Sequence, residues 1–417
     1  MPKAILLIGT YDTKQEELSF LADTLQGLGA EVTRMDVSVL GNTTVPCEIS
    51  KHAVAAAAGH AIAGITALDD ENAAFQVMAQ GAAQLCADRA RQGACDGLLV
   101  LGGTMGTDLA LDCAQALPLG IPKYILSTVA FSPLIPAHRI AADTQMMLWA
   151  GGLYGMNDLC RSSLAQAAGA VYGAALAARP PSFARPLIGM TSLGVSCLRY
   201  MTHLKPALES RGFEVAVFHS TGMGGLAFEQ LAQQGAFACV MDLCMQELVN
   251  AVAGSVVSSG PDRLRGAGQS GTAQIVAPGA LDLLDFACGQ DIPPAHSAKP
   301  FHQHNRLITS AVFTPEERRT NVQAMAERLR TARGPVHVMI PRGGVQEWDR
   351  PGGPTHDPDG LAAMLDEIQT MLATAHPSTV IDAHINDRAF CDAVLDVFDQ
   401  WCSDGTICLR PKSTGAS

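Results

Sequence analysis

Aromatic side chains are scarce in this chain, at 5% of its 417 residues, and charged ones make up only 16%. Basic runs are missing too: nothing exceeds the pair Arg318–Arg319, and the formal net charge is −12. Nucleic acid and anionic membrane are therefore set aside as partners, because both call for a concentrated cationic face. A small anionic ligand is not, since it needs only local amides and one or two cations. No apolar run reaches the length of a membrane span without a charge or a proline. The opening MPKAILLIGTYDTK is interrupted by Gly9 and Asp12 and has no cleavage site, so it reads as a first strand rather than a signal peptide. The twelve cysteines form no CxxC pair, a scatter that suits reduced, buried thiols and a cytosolic setting. Also lacking are a Walker A loop, a regularly spaced GxGxxG, an HExxH, a cysteine-nucleophile signature and any Ser-His-Asp order.

What remains is apolar and small. Hydrophobic residues reach 48% and glycines number 40, enough for a large core of closely packed α/β layers. The length suggests two domains. Ala4 to Ile8 is a continuous apolar run, as in a strand covered on both faces. A helical pattern through Leu18, Leu21, Leu25 and Leu28 follows, then a strand from Glu31 to Val37 with Asp36 at its carboxyl end. Helical stretches around residues 52–63 and 73–92 precede a buried strand at Gly97 to Leu101, and a further strand covers Tyr124 to Val129. A long alanine-rich helix runs from Asn157 to Ala178. Arg179 to Pro186 holds three prolines in eight residues and reads as a linker. The pattern then restarts: Leu21, Leu25, Gly29, Glu31 and Val32 recur as Leu204, Leu208, Gly212, Glu214 and Val215, at a constant offset. Strands are expected at Leu187 to Thr191, Glu214 to Phe218 and Ala238 to Asp242, and a last one near Val380 to Asp387 before a helix at Arg388 to Trp401. The expected fold is α/β, two Rossmann-like lobes (1–180 and 186–417), each a mostly parallel sheet flanked by helices.

Three small-residue turns at strand ends are candidate anion sites. In GTYDTK, Thr10 and Thr13 offer hydroxyls, Lys14 a cation, and Asp12 a ligand for a metal-bound water or a ribose. A capping box built on Asp12 or Thr13 with Gln15 or Glu16 is the alternative reading. In GGTMGT, Gly102, Gly103, Thr104, Gly106 and Thr107 precede a helix expected to start near Asp108, so their amides would face a phosphate. TGMGG, with Thr221, Gly222, Gly224 and Gly225, repeats that logic in the second lobe. For acid–base chemistry the candidates are His304, in FHQHN beside His302, and Asp382 and His384, in DAHIND. In GPDRLRGAG, Arg263 and Arg265 suit either an anion or a surface ion pair.

GTYDTK, DGLLVLGGTMGT, MNDLCRSSLAQAAGA and the late PDRL, HN and HIND segments, in this order, resemble a two-lobe family of bacterial, fungal and plant proteins. That family includes the ATP-binding N-terminal inhibitory domain of the tomato mosaic virus resistance protein, which binds a viral replication protein. The resemblance implies ATP and Mg²⁺ as ligands and a homodimer. On it, Gly9 through Lys14 and Gly102 through Thr107 become nucleotide-binding segments, with Asp12 or Asp36 meeting Mg²⁺ or the ribose. The chain departs from the family where it reads GVSCLRY (194–200) and DLCMQELVN (242–250), so a ligand of the second lobe is expected to differ or to be lost. The favoured reading is a cytosolic protein holding a nucleotide or other phosphorylated small molecule in the interlobe cleft. The alternatives are a ligase, kinase, isomerase or lyase acting on a phosphorylated or carboxylate metabolite, and a regulatory protein whose nucleotide only stabilises the dimer.

Overall fold

The computed structural model describes residues 2–407 except 69, 180–183, 288, 290, 293, 295, 298 and 300. The chain divides into two compact units between Ser182 and Phe183; the middle of the expected linker lies outside the described residues. The first unit runs β1 (Ala4–Gly9), α1 (Gln15–Gly27), β2 (Glu31–Asp36), α2 (Lys51–Ala57), α3 (Ile62–Thr66), α4 (Glu71–Arg91), β3 (Gly97–Gly102), α5 (Thr104–Ala116), β4 (Lys123–Ser127), β5 (Thr144–Leu148) and α6 (Asp158–Ala177). Its sheet has the order β2-β1-β3-β4-β5 and every pairing is parallel.

The apolar runs are continuous because alternate residues serve opposite cores. Leu6, Ile8, Leu98 and Val100 pack with residues of α4 and α5 on one face. Ile5, Leu7, Leu99 and Leu101 pack with α1 and α6 on the other. Each such side chain contributes about 1.5–3 kcal/mol on burial, which is what selects the doubly covered sheet.

The second unit runs β6 (Leu187–Ser192), α7 (Arg199–Ser210), β7 (Glu214–His219), α8 (Met223–Gln233), β8 (Cys239–Cys244), α9 (Gln246–Val252), α10 (Gly266–Ser270), β9 (Ala273–Gly279), β10 (Leu283–Ala287), β11 (Phe301–Gln303), β12 (Ile308–Val312), α11 (Pro315–Leu329), β13 (Val336–Pro341), α12 (Pro358–Met371), β14 (Ser378–Ile381) and α13 (Arg388–Ser403). Its main sheet, β14-β13-β9-β8-β6-β7, is again all parallel, and a small antiparallel sheet, β10-β12-β11, accompanies it. The internal repeat has a structural counterpart in β2-β1-β3 and β7-β6-β8. Gly29 and Gly212 occupy equivalent helix ends with φ of +97° and +92°, where glycine alone is unstrained.

Three local expectations change. The helix after GGTMGT begins at Thr104 rather than near Asp108, so Thr104 to Thr107 form its first turn. An edge strand, β5, emerges from the proline-punctuated segment. The HIND residues follow β14 on a loop. No helix among the described residues is long and apolar enough to cross a membrane, and the ten described cysteines are all free.

Candidate functional site

The order 2-1-3-4-5 places the sheet's switch point between β1 and β3, where the two flanking loops diverge and leave a crevice at the carboxyl edge. A cavity of about 600 Å³ lies there, lined by the β1–α1 loop, the start of α5, Thr128 after β4 and residues 150–154 after β5. Every lining residue belongs to the first unit.

At the β1–α1 loop, the Thr10 carbonyl accepts from the amides of Thr13 (3.3 Å) and Lys14 (3.0 Å). Lys14 is the N-cap of α1 and supplies no side-chain cap. The capping-box reading is not realised, because the polar groups it needs are turned elsewhere. Asp12 Oδ2 accepts from Gly41 N at 2.8 Å, and Gln15 Oε1 accepts from Thr43 Oγ1 and Thr44 N. Asp12 Oδ1 is buried without a hydrogen-bond partner among the described residues. Lys14 Nζ donates to Thr10 Oγ1 (3.3 Å) and Thr13 Oγ1 (3.1 Å) and forms no ion pair among the described residues. Asp12 and Glu71 line the same cavity without pairing with Lys14.

At α5, Gly103 is the N-cap and gives no side-chain cap. Thr107 N bonds to the Gly103 carbonyl at 2.8 Å, so the orphan donors are those of Thr104, Met105 and Gly106. They carry the positive end of the helix dipole. The close strand-to-helix turn requires glycine at 102, where a Cβ would stand 2.6 Å from Gly106 Cα.

Of the residues singled out in this unit, Thr10, Asp12, Thr13, Lys14, Gly102, Gly103, Thr104 and Gly106 line the cavity. Three do not. A Cβ at Gly9 would meet Leu18 at 2.8 Å, a packing role. Thr107 Oγ1 pairs with Ser127 Oγ at 2.7 Å. Asp36 is buried and its Oδ1 accepts from Tyr11 N, Ser38 N and Ser38 Oγ, so it braces the loop instead of facing a ligand. Leu40, Phe75 and Tyr154 line the cavity without having been anticipated. Tyr154 is 98% exposed, and the one cue to it was a glycine pair before an aromatic in a chain with few aromatics.

In the second unit the TGMGG turn binds an anion, and the anion is internal. The amides of Gly222 (2.5 Å) and Gly225 (3.0 Å) donate to Glu247 Oε1. A Cβ at either Gly224 or Gly225 would collide, with the His219 carbonyl and the Glu247 carboxylate respectively. Arg263, expected from sequence to meet either an anion or a surface ion-pair partner, is fully buried and pairs with Glu229, Asp242 and Glu247. Three carboxylates thus share one guanidinium. Burial pushes Glu247 up to about 7 and raises Glu229, against the pull of Arg263. A carboxyl whose folded pKa lies above its unfolded value holds a proton that stabilises the fold; this contribution is complete below about 4.5 and is lost as pH rises through about 7. Calorimetric unfolding should therefore show the C-terminal transition falling from pH 5 to pH 8, with a shallower slope in Glu247→Gln; an unchanged slope would contradict this.

The acid–base candidates are not brought together around a reactive centre. His304 is exposed, its ring 5.4 Å from that of Trp348. Asp382 is exposed and ion-paired with Arg342 at 3.2 Å. His384 is buried and fully engaged: Asn386 N donates to Nδ1, which leaves the proton on Nε2 to meet Asp349 Oδ1 and the Gln346 carbonyl, each contact 3.0 Å. No cluster of three metal-ligating side chains occurs among the described residues.

Fold and site define the class: a two-unit, doubly wound α/β protein whose first sheet opens a cavity at its switch point, against an uncapped helix N-terminus. Residues 3–180 match the N-terminal domain and residues 185–402 the C-terminal domain of the family described as "Uncharacterised protein family (UPF0261)". The chain belongs to the UPF0261 family. It is 50% identical over 403 residues to a UPF0261 protein of Brucella melitensis biotype 1, covering 97% of this chain and 96% of the relative. It is 28% identical over 422 residues to the ToMV resistance protein Tm-1(GCR237) of Solanum lycopersicum, covering 94% of this chain and 55% of that protein. Among solved structures, the thioesterase domain from the curacin biosynthetic pathway aligns with 52% of this chain and 92% of its own at a TM-score of 0.26 and 10% identity, a likeness that carries no argument.

Proposed function

We propose that the first unit binds a nucleoside triphosphate, with ATP as the ligand. The observation that supports this most is the presence, on the wall of one cavity, of three amides at the start of α5 without partners among the described residues and of the Lys14 ammonium, which forms no ion pair among them. An anion there gains from the orphan donors and the dipole together. A volume of about 600 Å³ suits a nucleotide-sized ligand. Leu40, Phe75 and Tyr154 offer apolar and aromatic surface for a base.

Mg²⁺ fits the same reading through Asp12. Its free, buried Oδ1 is a hard oxygen donor, and Mg²⁺ is commonly held by one or two carboxylates with phosphate and water completing the shell. When bound, the ion would neutralise phosphate charge; Asp12 would hold it and Gly41 N would orient Asp12. The cytosolic homodimer implied by the family resemblance belongs to this reading as well.

Lys14→Ala should weaken ATP binding roughly tenfold, about 1.4 kcal/mol, with little effect on stability because Lys14 contacts only the hydroxyls of its own turn. Isothermal titration calorimetry with ATP and Mg²⁺ checks this. Unchanged affinity would remove Lys14 from the site.

A further inference from the structure

The C-terminal unit contains a second cavity, of about 210 Å³, beyond the carboxyl ends of β9 and β13. It is independent of the nucleotide reading and of the Arg263 cluster. Its lining includes Arg318 and Asp357, which pair with each other, and Asp282, which pairs with neither arginine of the lining.

Asp282 is 1% exposed. Its Oδ2 accepts from Gln346 Nε2 at 3.2 Å, while Oδ1 has no hydrogen-bond partner among the described residues. Arg318 is equally buried. Its Nε donates to the Phe313 carbonyl and its Nη2 to Asp357 Oδ2, and Nη1 makes no hydrogen bond among the described residues. Arg318 and Asp282 form no ion pair with each other, although the guanidinium is near enough to pull the Asp282 carboxyl down against the burial that lifts it to about 6. Thr355 Oγ1 accepts from Gln346 Nε2 at 2.7 Å, which leaves its own hydrogen to donate. At the rim stands Arg342, with a side chain 60% exposed and one exposed ion pair, to Asp382.

Leaving a buried carboxylate oxygen without a partner on the wall of the cavity that Arg318 also lines is costly for the fold. A ligand that carries an acceptor and a donor on neighbouring atoms meets both groups at once. We infer that this cavity binds a small carboxylic acid with a hydroxyl or amino group adjacent to the carboxylate. Arg318 Nη1 and Arg342 meet the carboxylate, and Asp282 Oδ1 accepts from the neighbouring donor. A plain carboxylate satisfies the cations and leaves Asp282 unmet. The volume suits a molecule of few carbons.

The glycines of the β13 turn make room for this arrangement. A Cβ at Gly344, whose φ is +131°, would stand 2.3 Å from Asp349 Oδ1, and one at Gly343 would stand 2.6 Å from His384 N. The buried Asp349, in contact with His384, is part of the cavity lining.

The test is calorimetric titration of the full chain, without nucleotide, using D-glycerate and L-serine as probes and propionate as the carboxylate lacking a donor. Glycerate or serine should bind at least tenfold more tightly than propionate. Asp282→Asn, which keeps an acceptor for Gln346 but presents an amide to the cavity, should lower that affinity at least tenfold. The ligand-free melting temperature of this variant should be equal to or above the wild type, because an unpartnered buried carboxylate has been removed. Failure of both probes to bind at millimolar concentration overturns the inference. So does equal affinity in Asp282→Asn, or a lowered melting temperature, which would make Asp282 structural. Should that variant not fold, Arg342→Ala decides: a severalfold loss of affinity upholds the site and an unchanged affinity removes it. ATP titrated in parallel reports on the first unit alone, so the two readings fail separately.

Discussion

Arg263→Met is expected to destabilise the C-terminal unit by about 3–5 kcal/mol, the range found when one partner of a buried charge cluster is removed. Arg263 is 0% exposed, and each of its donors is engaged. Nε bonds to Glu247, Nη1 to Glu229 and Asp242, and Nη2 to Asp242 Oδ1 and the Cys244 carbonyl. Glu229 also accepts from the amides of Leu264 and Gly266, so the cluster ties α8, β8, α9 and the segment before α10 together. Methionine fills part of the volume and restores none of these bonds. Three carboxylates would then lie in the core with no cation, and they would relieve the strain by taking up protons. The deficit should consequently be larger at pH 8 than at pH 5. Calorimetry on the full chain measures it, with the transition of the first unit as an internal reference, since two units need not unfold in one step. A loss under about 1 kcal/mol would contradict the role assigned to Arg263.

Gly102→Ala should cost the first unit roughly 1–3 kcal/mol, as for other overpacked sites, and should lower ATP affinity on the order of a hundredfold, about 2.7 kcal/mol. A Cβ at this position would stand 2.6 Å from both Cα and C of Gly106 and 3.0 Å from Thr107 N. These are backbone atoms of the first turn of α5, which cannot rotate aside as a side chain would. The turn must lift away from β3, and the amides proposed to hold phosphate move with it. The neighbouring position is the control. A Cβ at Gly103 would meet only Thr128 Oγ1, at 3.7 Å, and its φ of −77° suits alanine. Gly103→Ala should cost at most about 1 kcal/mol, the difference between glycine and alanine at an N-cap, and leave the turn in place. Wild-type ATP affinity in Gly102→Ala would remove the α5 N-terminus from the site.

These adjacent glycines show how far the sequence could be read. GGTMGT marked a strand end, a turn and a helix start, and the apolar run before it marked a doubly covered strand. Where the helix began was not legible, because Thr104, Met105 and Gly106 have no strong preference that places them in a first turn. The contact of Gly102 with Gly106 places them there. The same holds for capping: Asp12 and Gln15 had the right spacing to cap α1, and the loop at residues 41–44 draws both away.

The sequence by itself determined the two α/β units, their parallel sheets, the repeat with its paired glycines at 29 and 212, and the turns where a ligand would meet the first sheet. Periodicity, glycine at helix ends and strand–turn–helix order are local, and local order is what a linear string records. Only the tertiary structure decided which turn was open. GGTMGT faces a cavity because no described residue reaches the amides of Thr104, Met105 and Gly106. TGMGG is closed because Glu247, more than twenty residues on, folds back into it. Arg263 became a core residue, His384 a satisfied one, and Asp36 a brace, each through partners distant in sequence. A motif states which groups are present; whether they are free to act depends on what the rest of the chain has already bound to them.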